Sequence, residues 1–232
     1  MAMERLRSRW ETASAGMVRA LGDTDPSTLT WISLPFGLVA AVLLASAPLG
    51  PTGGWMLLGA FVCISVATLL DGLDGSLARA TNRATRWGDY LDHTLDRVLD
   101  ILWIVAIASN AAWFGTPVIG WIAAMTTMFG SYLGTQAQAV AGTRNYGGFS
   151  RADRLILTIL GILVASTLAF LSIDPMPLGE QGFQLSPLSI VVLCCGLGGI
   201  WTFLVRFLRA RADLKMLDAK EPLCPTDGDD GV

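Results

Sequence analysis

The sequence predicts an all-α integral membrane protein, six transmembrane helices with a cytoplasmic N-terminal amphipathic helix ahead of them. Three observations predict it. Of 232 residues, 53% are hydrophobic and only 15% charged, where a soluble domain carries roughly 25% charged residues. Mean hydropathy is correspondingly high, +0.54. Six apolar runs, Leu29–Leu49, Trp55–Leu77, Tyr90–Phe114, Pro117–Val140, Leu155–Ile173 and Leu188–Leu208, each come close to the ~20 residues that cross a hydrocarbon core. Finally, all 16 Lys and Arg fall in four places: the arm from Arg5 to Arg19, Arg79–Arg97, Arg144–Arg154 and Arg206–Lys220. The alternate connections, Ala47–Gly53, Ala112–Pro117 and Asp174–Phe183, carry none. Under the positive-inside rule both termini are cytoplasmic and the protein is multi-pass in the cell (inner) membrane.

Taken in order, residues 1–25 are expected as the amphipathic helix. Arg5 and Arg9 oppose Leu6, Trp10, Ala13, Met17 and Leu21, a pattern that suits a helix lying on the inner face or a solvated one. Charge runs through Glu11 and Arg19 with no short apolar region before a small-residue cleavage site, so no cleavable signal peptide is expected. Residues 26–215 hold the six-helix domain. Residues 216–232, with Pro, Gly and several Asp, read as a disordered cytoplasmic tail. Cys63, Cys194, Cys195 and Cys224 lack metal-ligand spacing and are expected to pack. The net charge of −3 leaves no basic footprint for nucleic acid.

The second and third helices carry the chemistry. Asp71, Asp74, Gly75 and Ala78 are spaced i, i+3, i+4, i+7, one helical face. Asp89, Asp92, Asp96 and Asp100 follow the same rule on the next helix, across a short polar turn. The two helices are antiparallel neighbours, so the acidic faces can converge. An Asp deep in a membrane helix costs about 2.5–3.5 kcal/mol, and converging carboxylates repel one another. Divalent cations resolve both problems. Oxygen donors without His or Cys suit Mg²⁺, Mn²⁺ or Ca²⁺, and a pair of ions suits phosphoryl chemistry. The plain alternative is a solvated loop with ion pairs to Arg79, Arg83 and Arg86.

Asp71-x2-Asp74-Gly75-x2-Ala78-Arg79-x8-Gly88-x3-Asp92-x3-Asp96 resembles the signature of the CDP-alcohol phosphotransferases at all eight fixed positions. A given window would match by chance roughly once in 10¹⁰. Pro26-Ser27-Thr28-Leu29-Thr30 is similar to that family's Pro-Asn-x-Leu-Thr start of helix one, with Ser27 in place of Asn. The resemblance implies six transmembrane helices, an amphipathic N-terminal helix and commonly a homodimer. It implies transfer of a phosphatidyl- or archaetidyl-type group from a CDP-lipid to an alcohol, releasing CMP. By the same carry-over Asp71, Asp74, Asp92 and Asp96 hold two Mg²⁺ or Mn²⁺ ions, and Asp96 is the general base. Thr28, Asp74, Gly75, Ala78, Arg79 and Gly88 would line the CDP site, with Arg79 on phosphate and Gly88 allowing close approach of helix three.

The acceptor must be read elsewhere. Arg151 and Arg154 lie one helical turn apart and could clamp a phosphate, or anchor the loop to anionic lipid. Family members that take phosphorylated polyols often carry Arg-x-x-Arg at this place. With Arg144 and Gln136 these residues form the expected acceptor site, for inositol phosphate or glycerol phosphate, and Gln136 and Gln138 near the cytoplasmic end of helix four could hydrogen-bond polyol hydroxyls. Serine or another amino alcohol is the alternative acceptor. A cation-binding transporter is the alternative of another class, disfavoured because the acids gather toward one end. Asp89 and Asp100, outside the motif, are expected as helix-end solvation or ion-pair residues, and His93 as a structural or interfacial one. Gly130-x3-Gly134 allows close helix packing, within the bundle or with a second subunit.

Overall fold

The computed structural model describes residues 12, 14–142, 147–179 and 182–220. The N-terminal helix is therefore represented only by its end, residues 14–20. There Val18 and Leu21 pack against Leu29, Leu73 and Leu77, whereas Met17 is exposed. Arg5, Leu6, Arg9, Trp10 and Ala13, and Cys224 in the tail, lie outside the described residues.

Six long helices follow: α1 (Pro26–Ser46), α2 (Gly50–Ala80), α3 (Arg86–Ser109), α4 (Pro117–Ala141), α5 (Arg151–Phe170) and α6 (Pro187–Lys220). A short antiparallel hairpin, β1 (Met176–Leu178) and β2 (Phe183–Leu185), separates α5 from α6, with Met176 paired to Leu185. Local chemistry sets the boundaries. Asp25 caps α1, its carboxylate accepting from the Ser27 N–H, and Pro26 occupies the first turn, where a missing N–H costs nothing. Thr85 caps α3 through the Gly88 N–H. Ser150 and Asp153 form a reciprocal capping box on α5. Gly142 ends α4 in the left-handed region at φ 70°.

Among the described residues four helices, α1, α2, α5 and α6, are long and apolar enough to cross a membrane. The other two fall short for different reasons. α3 carries Asp89, Asp92, Asp96, Arg97 and Asp100 along its length up to residue 100, leaving a short apolar stretch from Ile101. α4 is diluted by Gly, Thr, Ser and Gln. The 31 residues of α2 make about 46 Å of helix, well beyond a hydrocarbon core of about 30 Å. That excess length places Asp71–Ala80 at the polar end. α6 likewise continues through Met216 to Lys220, past the point where the sequence suggested the tail, because Ala, Leu, Lys and Met are good helix formers.

The surface is that of a multi-pass membrane protein. Trp31, Val42, Trp121, Met125, Leu160 and Leu197 point outward on successive helices, each about half exposed or more, as apolar side chains do where lipid is the solvent. The interior is built around Trp103, Ile107, Trp113 and Phe114. Small residues bring backbones together. The Trp103 indole donates to the Gly37 carbonyl at 3.0 Å, and a Cβ at Gly37 would lie 2.3 Å from Leu99 Cδ2. Gly130 packs on α6 of its own bundle, where a Cβ would lie 3.1 Å from the Gly199 carbonyl oxygen.

Candidate metal and phosphate site

The polar ends of α2 and α3 present their acids to each other as the helical spacing requires. Asp71, Asp74 and Asp92 each offer an oxygen within 4.8 Å of the other two. Asp92 and Asp96, with His93, form a second group on the same criterion. Asp74 and Asp96 are buried, 6% and 7% exposed, and Asp71 and Asp92 are half-buried. Three hard carboxylates this close, on rigid helices, fit a divalent cation by donor type and by proximity. α1 contributes as well: the Thr30 hydroxyl donates to Asp74 Oδ2 in a short hydrogen bond. His93 sits on the flank, its Nε2 3.5 Å from Asp89 Oδ1 and its Nδ1 3.9 Å from Asp92 Oδ2.

A cavity of about 190 Å³ opens beside the cluster between α1, α2 and the start of α3. Ser27, Thr30, Asp74, Gly75, Ala78, Arg79, Gly88 and Asp92 are among its lining residues. The glycine at 75 keeps room for the Arg79 guanidinium, since a Cβ there would stand 3.3 Å from Arg79 Nη1. At Gly88 the nearest neighbour is its own cap, Thr85 Oγ1 at 3.3 Å, so that glycine fits the cap and not a facing helix. Thr28 is exposed and does not line the cavity. Helical rotation turns it outward and brings Ser27 and Thr30 in.

From the far side α5 closes on the same carboxylates. Arg151 Nη1 lies 2.9 Å from Asp71 Oδ2, and its Nη2 2.5 Å from Asp96 Oδ1. Arg154, 7% exposed, places Nη2 2.6 Å from Asp100 Oδ2. Asp100 also faces Arg97 and Arg151, each at 3.6 Å. Gln136 is not brought here. It is exposed on α4 and accepts from the Tyr132 hydroxyl at 3.3 Å. Gln138, two residues on, instead lines a second cavity of about 560 Å³ between α3 and α4, with His93 and Arg97. Arg144 lies outside the described residues.

Sequence reasoning gave Thr30 no role and did not pair Asp100 with Arg154 and Arg97. Thr30 stood within the quoted Pro26–Thr30 segment, and Asp100 continued the acidic face of α3. What no spacing could reveal was which of these groups α5 would meet.

Fold and site together define a multi-pass membrane protein with a polycarboxylate cluster that fits a divalent cation, a cavity beside it and two arginines of α5 against it. A family model for CDP-alcohol phosphatidyltransferase matches residues 24–193. The chain is 31% identical over 167 residues to a phosphatidylinositol phosphate synthase of Cutibacterium acnes, covering 69% of this chain and 77% of that one. It is 31% identical over 107 residues to an archaetidylinositol phosphate synthase of Pyrococcus horikoshii, covering 44% of this chain and about half (54%) of the relative. The crystal structure of Mycobacterium tuberculosis phosphatidylinositol phosphate synthase with CDP-DAG bound superposes with a TM-score of 0.65 at 24% identity, over 87% of this chain and 92% of that chain. The chain belongs to the CDP-alcohol phosphatidyltransferase family.

Proposed function

We propose that the protein transfers the phosphatidyl- or archaetidyl-type group of a CDP-lipid to a phosphorylated polyol, with inositol phosphate the first choice, and releases CMP. The observation that carries the acceptor assignment is the arrival of Arg151 and Arg154 at the carboxylate cluster. Two guanidiniums suit an anionic acceptor by charge and by fork geometry, and repel the ammonium of an amino alcohol. Relatives named for phosphatidylinositol phosphate and archaetidylinositol phosphate synthesis support the same choice.

Asp71, Asp74, Asp92 and Asp96 would hold the divalent cations, Mg²⁺ or Mn²⁺ and two of them. Such ions would supply charge neutralisation for the transferring phosphate and the departing CMP. Thr30 orients Asp74 through its hydroxyl. Gly75 and Ala78 leave space for the cytidine, and Arg79 contacts a phosphate. Asp96 takes the proton of the acceptor hydroxyl as its oxygen bonds to the lipid-bearing phosphorus. The pyrophosphate P–O bond breaks in that step, and CMP carries away the electron pair. The bundle spans the membrane six times with both termini in the cytoplasm, the residues 26–215 domain being catalytic. It works as a homodimer in the cytoplasmic membrane.

The deciding experiment is an acceptor screen on the purified protein with diacyl and diether CDP-lipids, read by CMP release and by mass spectrometry of the lipid product. Inositol phosphate or glycerol phosphate should yield product, and serine, ethanolamine and free inositol should not. Product from an amino alcohol alone would overturn the acceptor assignment. No CMP with any acceptor would favour a cation-binding transporter instead.

A further inference from the structure

We propose that Asp100 is a positioning residue for the acceptor: a carboxylate that takes no metal and instead fixes the two α5 arginines in the posture that receives a phosphate. The inference rests on the acceptor role proposed above for Arg151 and Arg154. Asp100 lies one turn beyond Asp96 on the same face of α3, yet among the described residues it belongs to neither group of converging metal-type donors. Its neighbours are cations. Arg154 Nη2 is 2.6 Å from Oδ2, Arg97 Nη1 is 3.6 Å from the same oxygen, and Arg151 Nε is 3.6 Å from Oδ1.

Three guanidiniums converging in a site this dry would repel one another, and a buried arginine needs a counter-charge. Asp100, 8% exposed, supplies it. Its hold on the two arginines is unequal. Arg154 is pinned, with Nη2 on Asp100 and Nη1 donating to the Phe149 carbonyl at 3.4 Å. Arg151 touches Asp100 only at long range through Nε, while its Nη groups rest on Asp71 and Asp96. Arg151 can therefore exchange those carboxylates for an incoming anion without losing its anchor.

A phosphate monoester, about −1.5 to −2 at neutral pH, carries about the charge of the two carboxylates, Asp71 and Asp96, that it would displace from Arg151. A donor remains for it: Nε of Arg154 is buried and makes no hydrogen bond within the protein. Buried donors of this kind call for an acceptor atom.

The test is steady-state kinetics of the full-length protein in nanodiscs, with inositol phosphate and CDP-diacylglycerol varied separately for Asp100→Asn, Asp100→Glu, Arg151→Ala and Arg154→Ala. Asp100→Asn should raise the acceptor KM by ~10-fold or more and leave the CDP-lipid KM within about 2-fold, while Asp100→Glu, keeping the charge, should recover most of the loss. If both arginine variants raise the acceptor KM and Asp100→Asn does not, the positioning role is overturned and the acceptor site stands. If none of the four raises it, the acceptor site itself is wrong and the positioning role falls with it. If Asp100→Asn inserts poorly, Asp100→Glu decides: an acceptor-selective rise in KM supports the role, and an equal loss against both substrates overturns it.

Discussion

Arg151 Nη2 lies 2.5 Å from Asp96 Oδ1, joining the guanidinium assigned to the acceptor phosphate to the carboxylate assigned to the acceptor proton. One contact thus links the two halves of the proposed reaction, across 54 intervening residues. An acceptor phosphate that draws on Arg151 brings its hydroxyl to the neighbourhood of Asp96, which is the proximity that a positioned base requires.

Replacing Asp96 by Asn keeps the shape and removes both the base and a cation-binding charge. Turnover should fall by at least ~10²–10⁴-fold, the usual worth of a general base, with membrane insertion unchanged. Asp92→Asn should do the same through cation binding. CMP release by membranes containing matched amounts of each variant measures it, and wild-type rates in both variants would sink the site assignment.

Arg151→Lys tests fork geometry against simple charge. Lysine keeps the charge but cannot reach Asp71 and Asp96 with two N–H groups in one plane. The acceptor KM should rise about 10-fold or more while the CDP-lipid KM stays put. Equal KM values for wild type and Arg151→Lys would reduce the residue to a point charge.

Thr30 acts on the cations through Asp74. Thr30→Val removes the hydroxyl that Asp74 accepts from and should weaken Mn²⁺ binding about 10–100-fold, as loss of a ligand's supporting hydrogen bond commonly does. Electron paramagnetic resonance titration of Mn²⁺ reads this without turnover. In the wild type, chelation should abolish activity, and added Mg²⁺ or Mn²⁺ should restore it.

Two glycines separate site from scaffold. Gly75→Ala meets only the mobile tip of Arg79, at 3.3 Å, so the melting temperature should hold while the CDP-lipid KM rises several-fold. Gly37→Ala forces a methyl to within 2.3 Å of Leu99 Cδ2 and should cost about 1–3 kcal/mol of stability as an overpacked core position. Thermal unfolding in detergent distinguishes them.

Much of the site was legible because helical spacing is a local property. Asp71, Asp74, Asp92 and Asp96 stand at i+3 and i+4 intervals, which sets each pair on one helical face, and α2 and α3 both pack on α1, which brings the two faces together. Gln136 and Thr28 are not brought to the carboxylate cluster, for a related reason. Their helices were legible but their rotation was not, and one or two residues along a helix turn a side chain about 100–200°. Thr30 occupies the inward position instead of Thr28, whereas Gln138 is exposed like Gln136 and borders the cavity beside His93 and Arg97.

The sequence by itself determined that this chain lives in a membrane, which end of the bundle is polar, and that four aspartates face one another there. Those conclusions rest on composition and on periodicity, which are summed over neighbours along the chain. Only the tertiary structure decided which cations meet which anions: Arg151 on Asp71 and Asp96, Arg154 on Asp100. Such pairings depend on the packing of α5 against α2, which carries its arginines to the acids of α3, through contacts more than fifty residues apart, and no local rule of spacing encodes them.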